Sequence, residues 1–230
     1  MKPRLLDLFC GAGGVAAGYH RAGFDVVGVD ILAQPHFPFE FVQDDALGFL
    51  ADVVVADPTW SGGFHVVHAS PPCQFYSRLS AMHPTKEYPA LIGDIRSLLV
   101  ESGLPWVIEN VEGAPLATRS DLFGAHGVML CGSMFGLGVE RGYLRRHRLF
   151  ETSFPVAQPE YRHKGLAVGV YGHGGHSGKH RMLYRAEAAE AMQIDWMSRD
   201  EMTQVIPPAY TEYIGAQLIA HLGDRPKVKR

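Results

Sequence analysis

The stretch Leu5-Leu6-Asp7-Leu8-Phe9-Cys10-Gly11-Ala12-Gly13-Gly14, continued by Val15-Ala16-Ala17-Gly18-Tyr19, decides the fold. An apolar run passes into a glycine-rich turn and then into a helical pattern. Glycines let the backbone approach a ligand there, while the free amides that open a helix face an anionic group. Asp30 follows about twenty residues on, at the end of a second apolar run, where a carboxylate binds ribose hydroxyls. Asp44 and Asp45, after a third run, add acceptors suited to an adenine amino group. The pattern fits an adenosine-containing cofactor. The spacing of Gly11, Gly13, Gly14 and Gly18 does not follow the Gly-x-Gly-x-x-Gly of nicotinamide dinucleotide sites, which argues against a dehydrogenase.

Outward from this stretch, the first half alternates apolar strand-like runs with amphipathic ones. Strands are expected over Arg4 to Phe9, Asp25 to Val29, Glu40 to Val42, Phe64 to Ala69 and Trp106 to Glu109. Helices are expected over Gly14 to Ala22, Ala46 to Leu50 and Tyr88 to Ser102. This is the rhythm of an α/β fold with a mostly parallel central sheet covered on both faces. Near Phe150 the alternation stops and Gly, His and basic residues accumulate. The expected division is a core over 1–149, a small region over 150–185, and a segment over 186–230 that returns to the core with helices at Arg185 to Met192 and Asp200 to Thr203.

With 47% hydrophobic and 20% charged positions in 230 residues, the chain has the material for a full core and is not a disordered segment. No apolar run reaches the length needed to span a bilayer, and no signal-peptide layout is present, so a cytoplasmic location is expected. Cys10, Cys73 and Cys131 are too few and too scattered for a disulfide framework or a four-cysteine zinc site. The net charge of -3 conceals a division: nine Lys or Arg between Arg141 and Arg185 face only Glu151 and Glu160, and the remainder is acidic. Such an excess, with several histidines, suits a phosphate-facing surface or, on charge alone, an ordinary solvated face.

Ala69-Ser70-Pro71-Pro72-Cys73-Gln74 follows the apolar pair Val66-Val67 and so places a thiol at the carboxyl end of a strand, where open α/β sheets put their chemistry. Two prolines fix the loop and leave it little entropy to lose. A thiolate there suits attack on a soft, electron-poor carbon.

These residues together carry a resemblance. Asp7-Leu8-Phe9-Cys10-Gly11-Ala12-Gly13-Gly14, Pro71-Pro72-Cys73-Gln74, Glu109-Asn110-Val111 and Arg146-His147-Arg148 stand in the order seen in DNA (cytosine-5)-methyltransferases. Ile206-Pro207-Pro208-Ala209-Tyr210-Thr211-Glu212-Tyr213-Ile214-Gly215 resembles the C-terminal motif of that family, which returns to the cofactor pocket. The match spans nearly the whole chain and resembles a compact phage or stand-alone bacterial enzyme. It implies a Rossmann-like methyltransferase fold, S-adenosylmethionine as cofactor with S-adenosylhomocysteine as product, and double-stranded DNA with a flipped-out cytosine as substrate. A monomer, with no membrane and no metal, completes the implied picture.

The resemblance assigns roles by position. Cys73 would add to carbon 6 of cytosine, Glu109 would bond ring nitrogen 3 and the exocyclic amine, and Arg146 and Arg148 would hold the base and the loop carrying Cys73. The cofactor would lie against Asp7, Phe9, Cys10, Gly11, Ala12, Gly13, Gly14, Asp30, Ile31, Asp45, Ala46, Pro71, Glu212 and Tyr213. Pro72, Gln74, Ser77, Asn110, Arg162, Lys164, Lys179 and Arg181 would face the nucleic acid, with Gln74 and Asn110 positioning the loop or filling the hole left by the base. The region over 150–185 would then be a reduced target-recognition region.

Three departures bear on this. Phe75 and Tyr76 follow Gln74 where relatives carry Gly and Phe. Leu144 replaces a glutamine ahead of the arginines. Only about 57 residues separate Arg148 from Ile206, where relatives place a long recognition domain. A glycine-rich segment around Tyr171 to Arg181 is expected to read the target, and its His173, His176 and His180 lack the carboxylate or cysteine partners of a metal site. Two alternatives stay open: an RNA (tRNA) cytosine-5 methyltransferase, and a catalytically silent DNA-binding protein of the same fold.

Overall fold

The computed structural model describes residues 2–55, 63–73, 90–118, 124–140, 142–161, 163, 165–171, 175–177 and 180–224. The first half runs β1 (Arg4–Leu8), α1 (Gly14–Ala22), β2 (Asp25–Asp30), β3 (Glu40–Gln43), α2 (Ala46–Phe49), β4 (Phe64–Ala69), α3 (Ile92–Glu101) and β5 (Trp106–Asn110). Then come β6 (His126–Leu130), β7 (Gly138–Val139), β8 (Gly142–Leu144), β9 (Arg148–Thr152), β10 (Leu166–Gly169), β11 (Gly175–Ser177) and β12 (His180–Met182). Helices α4 (Arg185–Met192), α5 (Arg199–Gln204) and α6 (Pro208–Asp224) close the chain. Among the described residues no helix is long and apolar enough to cross a membrane.

The central sheet has seven strands in the order β3-β2-β1-β4-β5-β9-β6. The first five are mutually parallel, and β9 runs antiparallel to both β5 and β6. The mostly parallel sheet read from the sequence is therefore present, with β6 and β9 added. Both were hidden by residues that their packing requires. In β9, Glu151 is only 2% exposed; its carboxylate accepts from Arg96 at 2.6 and 2.9 Å and from the Ala117 amide at 2.7 Å. In β6, a Cβ on Gly127 would stand 2.1 Å from the Ala117 carbonyl oxygen. A buried carboxylate and an obligatory glycine both weaken the apolar pattern by which strands are recognised.

Period-two alternation sorts the parallel strands onto two cores. Leu5, Val26, Val66 and Val107 face the side covered by α1 and α6, with Tyr19, Phe24, Tyr210 and Ile214. Leu6, Leu8, Val27, Val29, Val67 and Ile108 face the other side, against Ile92, Ile95 and Leu99 of α3. The first face also carries a row of buried polar residues: Asp7 on β1, His68 on β4 and Glu109 on β5. Asp7 is paired in register with His68, and His68 with Val107.

Helix α6 packs directly on α1. Added Cβ atoms would meet Val205 Cγ2 at 2.1 Å from Gly14 and Thr211 Oγ1 at 2.0 Å from Gly18. These two glycines therefore serve close packing, while Gly11 and Gly13, at φ 47° and 86°, form the turn itself. A second sheet, in the order β11-β12-β10-β8-β7, draws strands from both sides of β9.

Candidate active site

Strand order reverses between β1 and β4, so the connections leaving their carboxyl ends diverge and open a crevice between them. The glycine turn leaves β1 at this point and the Pro71-Pro72-Cys73 segment leaves β4. Leu8 pairs with Ala69, and Ala69 pairs with Ile108, so Glu109 at the end of β5 belongs to the same edge. Topology alone thus gathers the residues singled out in three separate motifs.

Glu109 is buried, and its Oε1 lies 3.1 Å from Arg148 Nε. Burial pushes its carboxyl pKa up, while Arg148, a hydrogen bond from Ser70 and Arg146 pull it down without cancelling the rise. The net effect favours a protonated carboxyl that can donate a hydrogen bond. Cys73 is half-buried and its thiol is also raised by burial, opposed first by Arg148. Arg148 is the stronger of two cations that act on both groups, the other being Arg146.

Arg146 has a different setting. Its guanidinium is wholly buried and donates to the carbonyls of Val170 at 3.1 Å and Thr203 at 2.7 Å. Tyr210, from α6, donates to the Arg146 carbonyl at 2.6 Å. Arg146 therefore ties the second sheet and the C-terminal segment to the strand carrying Arg148. Asn110 donates from its amide to the Pro71 carbonyl at 2.9 Å, which fixes the loop that presents Cys73.

A chain of hydrogen bonds beneath Glu109 escaped the sequence reading. Tyr19 Oη lies 3.0 Å from His68 Nδ1, His68 Nε2 lies 2.9 Å from Ser70 Oγ, and Ser70 reaches Glu109. Burial drives the His68 pKa down to about 3, so the ring is neutral and carries one proton. With the carboxylate ionised, Tyr19 donates to Nδ1, Nε2 donates to Ser70, and Ser70 donates to Glu109. With Glu109 protonated, every bond can reverse. The one available signal was a histidine interrupting the apolar strand Phe64-His65-Val66-Val67-His68-Ala69.

At the glycine turn, Asp30 accepts from the amides of Gly11 at 3.1 Å and Leu32 at 3.0 Å. Space is open where a Gly11 Cβ would stand, and Ile31 beside it is 64% exposed. Phe9 adopts φ 58°, an uncommon conformation for an aromatic residue and one that concentrates at functional turns. Both carboxylate oxygens of Asp7 are buried without a hydrogen-bond partner. Burial, then Asp30 and Glu109, raise its pKa. An open glycine cradle, an exposed apolar side chain beside the Asp30 carboxylate, and a buried carboxyl without a partner at the end of β1 fit an adenosine cofactor. Trp196, also missed in the sequence, donates to the Ala12 carbonyl at 3.0 Å and braces the turn.

The remaining expected residues are placed variously. Cys10 is buried, with its thiol raised by burial, and its Sγ lies 2.8 Å from where a Gly28 Cβ would be. Asp45 caps α2 by accepting from the Gly48 amide at 2.8 Å, and Ala46 is buried behind it. Pro71 is buried and Pro72 half-buried in the Cys73 loop. Glu212 faces Arg21 at 4.0 Å, and Tyr213 donates to the Ala157 carbonyl at 3.1 Å, so neither is partnered at the glycine turn. Thr211 makes the link from α6 instead, donating to the Val15 carbonyl at 2.8 Å. Arg181 is ion-paired with Glu187. Gln74, Ser77, Arg162, Lys164 and Lys179 lie outside the described residues.

No family model matches the chain, and no curated protein matches it. Solved structures do. A prophage-encoded protein of E. coli described as a DNA modification methyltransferase superposes with a TM-score of 0.62 at 16% identity, over 96% of this chain and 100% of that one. The Dnmt2 methyltransferase of S. pombe gives a TM-score of 0.59 at 13% identity, over 96% of this chain and 99% of that one. With the sheet order and its switch point, these similarities establish that this chain has the Rossmann-like fold of the methyltransferases.

Proposed function

We propose that the chain is a DNA cytosine-5 methyltransferase that uses S-adenosylmethionine. The observation that carries this reading is the convergence of Cys73, Glu109 and Arg148 at the carboxyl ends of β4, β5 and the start of β9, beside the glycine turn. A thiol, a carboxyl with raised pKa and a half-buried cation are the groups needed to activate a cytosine ring.

Carbon 5 of cytosine is a weak nucleophile until aromaticity is broken. The Cys73 thiolate forms a bond to carbon 6, and electron density moves toward ring nitrogen 3. Protonated Glu109 donates its hydrogen bond there and limits the charge that accumulates. Arg148 stabilises the thiolate before attack and the Glu109 carboxylate if its proton is transferred. Asn110 holds Pro71, and thereby Cys73, so that the thiol is delivered with little orientational freedom. Bound S-adenosylmethionine supplies the methyl group that carbon 5 acquires, leaving S-adenosylhomocysteine. A base then takes the carbon 5 proton, the electron pair left behind re-forms the carbon 5–carbon 6 double bond, and Cys73 departs as the thiolate.

The cofactor would be held by Asp30 and Ile31 at the end of β2 and by the Phe9 to Gly13 turn, with Asp7 beneath. A stacked base is beyond reach of Cys73, so the target must leave the helix at a cost of about a few kcal/mol. Basic residues of the 141–185 stretch, among them Arg145, Arg162, Lys164 and Lys179, would offset that cost through phosphate contacts.

The test is incubation of the purified chain with S-adenosylmethionine and unmethylated DNA or unmodified tRNA in parallel, followed by nucleoside mass spectrometry. New 5-methyldeoxycytidine supports the proposal, and 5-methylcytidine in the tRNA arm alone replaces the polymer. Cofactor binding without either product would favour the silent DNA-binding reading.

A further inference from the structure

We propose that Cys131, His147 and His163 form a zinc site, separate from the Cys73 centre, in which two imidazoles, one thiolate and a water hold the ion. The three residues come from different segments: Cys131 just ahead of the turn Gly132–Phe135, His147 immediately before β9, and His163 in the connection to β10. Spaced sixteen apart, they show no local motif, which is why scattered cysteines and the histidines near residue 176 gave no metal expectation.

The geometry is that of a ligand set. His163 Nε2 lies 3.3 Å from Cys131 Sγ and 3.5 Å from His147 Nε2, and all three donor atoms lie within 4.8 Å of one another. Tetrahedral zinc, with Zn–N of about 2.0–2.1 Å and Zn–S of about 2.3 Å, separates its donors by about 3.3–3.6 Å. The two edges at His163 are close to those values, and the third lies within the 4.8 Å span.

The second shell also fits. Glu112 Oε2 stands 3.4 Å from His147 Nδ1. A carboxylate there keeps the proton on Nδ1 and turns the Nε2 lone pair toward the other donors, as carboxylates commonly do for metal-bound histidines. The two imidazoles are stacked at 5.3 Å and 21°. Tyr143 stacks on His163 at 5.2 Å, and Tyr161 packs edge-on against both imidazoles. The rings are therefore held in place by packing as well as by polar contacts. Two Nε2 atoms facing each other at 3.5 Å need a proton or a cation between them, and the adjacent thiol favours a thiophilic ion over magnesium or calcium. Among the described residues no fourth side chain completes the set, and the exposed His163 side admits water.

Such an ion would cross-link the segment beginning at Cys131, the start of β9 and the loop containing His163. It would brace Arg148 without touching the reacting base.

The experiment uses untagged full-length chain, dialysed against metal-free buffer and analysed by mass spectrometry for metals. About one zinc per chain is expected, reduced to background in His163→Gln. Stripping with a chelator should lower the melting temperature, and zinc chloride should restore it. Titration of the stripped protein with cobalt chloride should give thiolate-to-cobalt charge-transfer absorption in the near ultraviolet, absent from Cys131→Ser. Cys131 is fully buried, so the exposed His163→Gln carries the test should the serine variant fail to fold. Wild-type protein that holds no zinc and develops no cobalt band, or a His163→Gln variant that retains both, would overturn the proposal.

Discussion

Arg148 Nε stands 3.1 Å from Glu109 Oε1, with 11% and 7% of the two side chains exposed. This contact couples the two groups on which the proposed chemistry depends, because the same guanidinium also lowers the Cys73 pKa. Replacing Arg148 with Gln removes a cation that favours the ionised form of both, so both pKa values rise. Each limb of the pH profile of kcat/KM should therefore move to higher pH, with activity at neutral pH falling about 10²-fold or more. A profile that keeps its position while only its height drops would mean that Arg148 acts by placing the substrate alone.

Cys73→Ala separates chemistry from binding. The side chain stands at the loop held by Asn110, whereas the glycine turn is braced by Asp30 and Trp196 through bonds that do not involve it. Methyl transfer should fall by about 10³-fold or more, with cofactor affinity by calorimetry changed less than about twofold. Turnover comparable to the unmodified chain would remove Cys73 from the mechanism.

Gly18 tests the support of the glycine turn. A methyl group there would stand 2.0 Å from Thr211 Oγ1 and 2.1 Å from the Pro208 carbonyl oxygen, neither of which is a flexible chain end. Gly18→Ala should cost about 2–3 kcal/mol in urea unfolding, despite the better helix propensity of alanine. Unchanged or increased stability would show that α1 and α6 are not packed this closely.

These cases show where the sequence was informative. Asp30 is the polar end of an apolar strand and Cys73 follows one through Pro71-Pro72, so local pattern placed both at the edge where parallel strands end, whereas Glu109 stood out through the resemblance of Glu109-Asn110-Val111. Arg146 and Arg148 could not be separated in this way: both belong to one basic run, yet one is spent on the carbonyls of Val170 and Thr203 and the other reaches Glu109. Those carbonyls lie 24 and 57 residues downstream, and nothing near Arg146 specifies them. The Cys131, His147 and His163 cluster was hidden for the same reason. Gly18 was conspicuous as a glycine, but its cause lies on α6. Positions fixed by local geometry were legible, and contacts made with distant partners were not.

His68 provides a stability test that does not depend on the polymer methylated. Its pKa is held at about 3 by burial, against about 6.5 in an unfolded chain, so the unfolded state binds the extra proton between these values. The stabilising contribution is complete above about pH 6.5 and is lost as pH falls toward 3. Between pH 7 and about pH 4 this loss is on the order of 3 kcal/mol. His68→Gln removes the titrating group while retaining a polar link between Tyr19 and Ser70, and Asp7 and Glu109 titrate in both proteins. The variant should therefore lose less stability on acidification, by roughly that amount, when urea unfolding is compared at the two pH values. Parallel losses in the two proteins would mean that His68 becomes protonated in the folded state, and the two-way hydrogen-bond chain from Tyr19 to Glu109 would have to be abandoned.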